Sequence, residues 1–289
     1  MRVPLLPCLV AALACGCAGA PKIVRQALAT DERGLSDLCA DGAGGYLAVS
    51  ERGATLVPIS REAGGTFRAG TPIPVTGIPD GSDTESLAWM GGGRFAIGTE
   101  RQEPEREKDD ILLAERDGAG HIRAAGTLEV RWTAWDGFRA PKNRGIEALC
   151  HAGGALWLAG EGSVEKAGVR RAPLGRLDPA TGALGRSWLR LTSATGRISA
   201  LTCRATAGGV ELFAIERHYG VARILRFAVS GPALPEEVVP ELYLDLSSRL
   251  QPIPNLEGIA FGEADTLLLI TDNDTGGVTG PTEIVTVRR

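Results

Sequence analysis

Ten positions recur in register through five copies of a short apolar pattern, and eight of them are acids. The copies read Leu35-Ser36-Asp37-Leu38-Cys39, Thr84-Glu85-Ser86-Leu87-Ala88, Ile146-Glu147-Ala148-Leu149-Cys150, Ile198-Ser199-Ala200-Leu201-Thr202 and Leu256-Glu257-Gly258-Ile259-Ala260. Their second positions form one column: Ser36, Glu85, Glu147, Ser199 and Glu257. A further apolar run follows each copy, over residues 46–51, 94–100, 156–161, 211–216 and 267–272. Its last residue forms the other column: Glu51, Glu100, Glu161, Glu216 and Asp272. Carboxylates gathered in one place cannot all ionise cheaply, so their pKa values rise or cations neutralise them. Hard oxygen ligands suit Ca2+ or Mg2+. The three histidines, His121, His151 and His218, are scattered and give no transition-metal spacing.

Three loops near these columns carry further chemistry. Residues 137–145 (GFRAPKNRG) precede Glu147 and hold donors suited to a phosphate or carboxylate, Lys142, Asn143 and Arg144 among them. Asp272-Asn273-Asp274-Thr275-Gly276-Gly277 offers oxygen ligands, although the spacing of a twelve-residue calcium loop is absent. Residues 100–110 form a charge run, read as a solvated loop over the same place. A purely structural reading stands beside these. In Glu51-Arg52, Glu100-Arg101 and Glu216-Arg217 an acid followed by arginine at a strand end can make ion pairs between neighbouring sheets. No Gly-x-Ser-x-Gly nucleophile motif occurs.

Only a repeat architecture brings such distant residues together. The copies recur every fifty to sixty residues or so, the mark of an array of like units. After each acid-terminated run comes a third apolar run, at 54–59, 110–115, 174–178, 221–229 and 282–287. A fourth follows in the first four units, at 71–76, 125–132, 184–191 and 238–246. Short β-rich runs divided by turns such as Asp178-Pro179-Ala180-Thr181-Gly182 predict an all-β chain, and four strands per unit predict a β-propeller. Five blades are expected, or six if the long gap between the second and third units hides a degenerate one. The last unit lacks a fourth run, and residues 22–29 are expected to supply it as an N-terminal strand that closes the ring. In a blade the first strand is innermost and the second returns antiparallel to it. Both columns therefore meet at one mouth of the central channel.

The 289 residues, 44% hydrophobic with a net charge of −4, suit a soluble globular chain and offer no basic field for nucleic acid. Residues 1–20 read as a signal peptide, with Arg2, a short apolar stretch at 5–14, and Cys15-Gly16-Cys17-Ala18-Gly19. The apolar stretch is too short to span a bilayer. Cys17 is the expected acylated residue, with Cys15 the alternative and a plain cleaved leader a third possibility. The expected location is the periplasmic face of the cell envelope, lipid-anchored at the outer membrane, or else free periplasmic or secreted. The N-terminal lipid would be the sole contact with a membrane, and a monomer is expected. Cys39, Cys150 and Cys203 remain in the mature chain. Strand parity puts Cys150 and Cys203 on the facing surfaces of consecutive sheets, which permits a disulfide, while three buried thiols are the other reading.

At these residues the chain resembles the phytase-like family, also described as having esterase-like activity of phytase. The resemblance rests on Leu35-Ser36-Asp37-Leu38, Asp83-Thr84-Glu85-Ser86-Leu87 with Thr99-Glu100-Arg101, Asn143-Arg144-Gly145-Ile146-Glu147-Ala148-Leu149, and Asn255-Leu256-Glu257-Gly258-Ile259-Ala260 with Leu268-Leu269-Ile270-Thr271-Asp272-Asn273. These segments place the domain over residues 21–289. The resemblance implies an exported β-propeller acting on a small anionic ester or phosphoester. By analogy Glu85, Glu147, Glu257 and Asp272 would hold Ca2+ or Mg2+, which polarises the ester and activates water. Glu147 and Arg144 would carry the chemistry, with Arg101, Lys142, Asn143 and Arg217 binding substrate. The calcium motifs of alkaline propeller phytases are not apparent. Two alternatives stay open: a non-catalytic envelope scaffold, and a gluconolactonase-type Ca2+-dependent hydrolase.

Overall fold

Apolar runs rich in Val, Ile and Leu, each ended by a Gly- or Asp-containing turn, leave the backbone no partner within its own segment, so neighbouring runs pair as antiparallel strands. The computed structural model describes residues 20–51, 54–79, 82–101, 103–231, 233–272 and 280–288. Residues 1–19, with the expected leader and Cys17, lie outside the described residues, as do Arg52 and the 273–277 loop. The one helical element among the described residues is a 3-10 turn at Trp132–Ala134.

The strands run as successive antiparallel meanders. The first holds Leu35–Ala40, Tyr46–Ser50 and Thr55–Arg61, and the second Asp83–Gly91, Arg94–Glu100, Lys108–Arg116 and Ile122–Arg131. The third holds Ala148–Ala152, Ala155–Ala159, Val169–Leu177 and Leu184–Arg190. The fourth holds Arg197–Thr206, Gly209–His218, Val221–Val229 and Glu241–Asp245. Leu256–Phe261, Leu267–Thr271 and Glu283–Arg288 make the fifth, and Lys22–Ala27 pairs antiparallel with Glu283–Arg288 as its outer strand. N- and C-terminal strands of the described chain thus share one sheet, which covers an edge that would otherwise be open.

The first strand of every meander is innermost, and these strands pack in a cycle. Leu35–Ala40 contacts Asp83–Gly91 and Leu256–Phe261, Ala148–Ala152 contacts Asp83–Gly91 and Arg197–Thr206, and Arg197–Thr206 contacts Leu256–Phe261. Apolar side chains fill each gap between consecutive meanders. Trp132, Trp135 and Phe138 with Ile146 and Leu158 lie between the second and third; Phe213, Ile224, Ile259 and Leu269 lie between the fourth and fifth. The Cys150–Cys203 disulfide (S–S 2.08 Å) joins the inner strands of the third and fourth meanders within their shared cluster.

The outer strands depart from the sequence reading. The run expected at 71–76 shortens to Ile73–Thr76 and pairs parallel with Ile122–Arg131, fusing the first two meanders into one nine-stranded sheet. The run expected at 238–246 splits into Glu237–Val238 and Glu241–Asp245, because Pro240 has no N–H for a ladder. Its first piece joins Leu184–Arg190 of the preceding meander in a parallel pair. The long gap between the second and third units holds the 3-10 turn and a loop.

At the centre the Asp37 carboxylate accepts the N–H groups of Leu38 (2.7 Å) and Leu87 (2.8 Å), with the Ile259 amide a third donor. Three inner strands therefore converge on one side chain. Burial raises its pKa against the pull of these amides. Gly258 allows the closest approach here, since a Cβ at that position would stand 2.6 Å from the Leu38 nitrogen.

Candidate functional site

Four inner strands carry a register shift at the same place: between Leu35 and Asp37, Thr84 and Ser86, Ile198 and Ala200, and Leu256 and Gly258. The extra residue is each time the first-column one, Ser36, Glu85, Ser199 or Glu257. A bulge leaves one residue without a partner opposite and re-aims its side chain. In the third meander Glu147 takes the same place one residue ahead of Ala148–Ala152. Hydroxyls beside the bulges tie neighbouring inner strands: Ser86 Oγ donates to the Ile146 carbonyl at 2.6 Å, and Ser199 Oγ to the Leu256 carbonyl at 2.8 Å.

The structure brings Glu85, Glu147 and Glu257 near Glu51, Glu100, Glu161 and Asp272, close enough for those charges to act on the titration of the first three. Burial raises the Glu85 pKa well above the usual carboxylate range; the charges of Glu100, Glu51 and Glu257 add to this, and a hydrogen bond with Ser36 opposes it. Glu147 is raised well above that range too, by burial first, then by Glu161, Glu100, Glu85 and Glu257. Glu100 is raised by burial to about 7, held from rising further by a hydrogen bond with Glu147 and by the Gly145 N–H, 3.1 Å from its Oε2. Two carboxyl groups can share a hydrogen bond only if one keeps its proton.

The Asn143-Arg144-Gly145-x-Glu147 segment has a geometric reason. Asn143 adopts φ 51°, and a Cβ on Gly145 would lie 2.4 Å from the Glu100 Cβ, so only glycine lets this loop reach the acid pair. Arg106 holds the loop from the far side. It donates to both oxygens of Asp109 (2.9 and 3.0 Å) and to the carbonyls of Arg101, Glu103 and Pro141, while Trp132 Nε1 donates to Asp109 at 2.7 Å.

Arginines supply the countercharge. Arg217 pairs with Glu257 through two hydrogen bonds, that from Nε at 3.2 Å, and Asn255 Nδ2 donates to the same carboxylate at 2.8 Å. Burial raises Glu257 to about 7 even so, with the Arg217 charge and hydrogen bond pulling it down. Burial works against the Arg217 charge, but Glu257, Glu161 and Glu147 outweigh it and raise its pKa. Glu161 is shared by Arg144 (3.6 Å) and Arg197 (3.4 Å). Of the four expected cation ligands, Glu257 thus has its oxygens taken by Arg217 and Asn255. Among the described residues no three Asp, Glu, His or Cys side chains form a metal-holding group, the expected Glu85, Glu147, Glu257 and Asp272 included.

Other expected residues stand apart from this cluster. Arg101 pairs with Asp110 (3.3 Å), and Lys142 and Asn143 are exposed on the loop. Glu216 is fully buried, and its carboxylate accepts the backbone N–H groups of Thr192 (3.0 Å) and Ser193 (3.0 Å), a loop staple where the structural reading expected an ion pair between sheets. Sequence reasoning missed Arg170, Arg197 and His218. Burial lowers the His218 pKa, as do the charges of Arg197, Arg217, Arg144 and Arg170, so these five basic groups lie near one another. Nothing in their spacing announces this; only the cyclic packing of the meanders joins them.

A family model described as phytase-like, "esterase-like activity of phytase", matches residues 30–275. No curated protein matches the chain. Among solved structures, a protein of unknown function from Dyadobacter fermentans aligns at 12% identity over 93% of this chain and 99% of its own, with a TM-score of 0.52. A luciferin-regenerating enzyme aligns at 12% identity over 93% and 96% (TM-score 0.48). The PQQ-bound aldose sugar dehydrogenase of Streptomyces coelicolor aligns at 14% over 93% and 100% (TM-score 0.48). At these identities the likeness concerns the fold alone.

Proposed function

The chain belongs to the phytase-like family, and from that premise we propose an exported five-bladed propeller hydrolase that cleaves small anionic esters or phosphoesters at the channel mouth. The cycle of five inner strands supports five blades. Export and an anchor at Cys17 follow the leader-like sequence, and the Cys150–Cys203 bridge suits an oxidising compartment.

The observation that carries the chemistry is the hydrogen-bonded Glu100–Glu147 pair beside Arg144, Arg197 and Arg217. In this reading Glu147 holds the proton and Glu100 is the base. Arginine guanidinium groups orient the anionic group and stabilise charge that develops on it. Water attacks the phosphorus or carbonyl carbon and gives its proton to Glu100. The bond to the leaving oxygen breaks as Glu147 donates its proton to that oxygen. The proton then passes from Glu100 to Glu147 along their hydrogen bond, and the pair is restored. No step is routed through a metal ion.

The test is a panel of 4-nitrophenyl phosphate and 4-nitrophenyl carboxylic esters, with and without EDTA. Glu147→Gln is expected to lower kcat by roughly 10²–10⁴-fold, the usual contribution of a positioned acid or base. EDTA is expected to change neither rate nor melting temperature. Turnover that EDTA abolishes would restore the calcium-dependent reading. Wild-type protein inert across the panel, or Glu147→Gln retaining the full rate, would favour the scaffold reading, which the Glu216 staple and the arginine–glutamate pairs already suit.

A further inference from the structure

A groove of about 470 Å³ opens beside the arginine side of the mouth, between the 217–221 turn and the 251–255 loop. Among the described residues Arg197, Arg217 and His218 line it and no carboxylate does, although Glu257 bonds to Arg217 and Asn255 of the lining. Tyr219 stands at the groove with 80% of its surface exposed, the most exposed large apolar side chain among the described residues. Its ring centroid is 4.6 Å from that of His218, and the two ring planes are tilted by 49° to each other. Pro252 and Pro254 form part of the lining. Arg217 uses Nε and Nη2, and Arg197 uses Nη1, for the bonds described above. Among the described residues, no hydrogen bond takes Nη1 of Arg217 or Nη2 of Arg197.

We propose that this groove binds an aromatic ring bearing an oxyanion, such as a phosphate, sulfonate or carboxylate. The Arg197 and Arg217 guanidinium groups meet the anion, and Tyr219 stacks on the ring. An exposed aromatic side chain costs the free protein contact with water and gives an aryl group a face to cover. Guanidinium groups match an oxyanion in shape and charge. Coverage by Pro252 and Pro254 favours a flat guest over a branched one. Where the guest is an aryl phosphate its aryl oxygen would be the leaving group, and there the proposal rests on the hydrolase reading; the binding event itself needs no turnover.

Titration calorimetry with phenylphosphonate and methylphosphonate, neither of which offers a cleavable ester, tests it on the full chain. Phenylphosphonate is expected to bind roughly tenfold more tightly, the scale of an aromatic pair. Tyr219→Ala should erase that ratio and Tyr219→Phe should keep it, while Arg197→Gln should weaken both ligands alike. Equal affinities, a ratio unmoved by Tyr219→Ala, or no binding of either ligand would overturn the proposal. Hydrolysis of alkyl and aryl phosphates at equal efficiency would leave the hydrolase reading intact and sink this one. Tyr219-dependent phenylphosphonate binding without turnover would do the reverse.

Discussion

Burial of Glu100 among the other acids makes this end of the channel sensitive to pH in a direction opposite to that of an ordinary surface acid. Burial raises Glu100 from 4.5 to about 7, so the folded form binds protons more tightly than the unfolded chain. The contribution of Glu100 to stability is full below about 4.5 and is lost as pH rises through about 7. Glu257, also raised to about 7, acts in the same sense. Glu100→Gln, which keeps the shape and cannot ionise, should flatten the fall in urea midpoint between pH 5 and pH 8. At the upper end it should add on the order of 3 kcal/mol relative to wild type. A wild-type midpoint that rises over this interval would contradict the assignment. The acids themselves were legible in the sequence, because recurrence in register marks equivalent places in a ring. Their counterions were not: Glu161 turns to Arg144 and Arg197, and Glu216 to the backbone of residues 192–193, rather than to the arginine that follows an acid in the chain. Those partners come from other strands, and sequence adjacency carries no information about them.

The elements divide in the same way. Inner strands and the returns beside them were readable, since burial on both faces demands continuous apolar runs. The bulges were not, yet they decide where Glu85 and Glu257 aim: an extra residue is invisible in an apolar run until its partner strand is known. Outer strands were the least legible, because they pair by edge availability, as the parallel pairings of Ile73–Thr76 and Glu237–Val238 show. Parity was enough to bring Cys150 and Cys203 to facing surfaces. Their bond spans 53 residues and constrains the unfolded chain. Replacing both by Ser should cost about 4 kcal/mol in the chain-entropy account. The check is a denaturant titration of the double variant beside the wild type, with dithiothreitol added to the latter. A midpoint unchanged by either treatment would show the bridge to be energetically idle.

At the scale of the whole molecule, the repeat was the most legible feature, and closure by Lys22–Ala27 follows from a count of strands in the last unit. That strand begins a few residues beyond Cys17, so an acylated Cys17 would hold the outer edge of the ring close to a membrane. Cys17→Ala is expected to move the protein from the membrane fraction to the soluble periplasmic fraction of the producing bacterium; identical fractionation of the two would remove the anchor. The Asp37 carboxylate has a consequence for assembly. Its donors come from residues 38, 87 and 259, the last more than two hundred positions away, so the first, second and fifth meanders must stand side by side to provide all three. Growth sheet by sheet from the N-terminus, as in an open solenoid, would leave this carboxyl group short of a donor until the last sheet docks. Bringing the two ends of the chain together is thus what satisfies the carboxyl group buried at the hub.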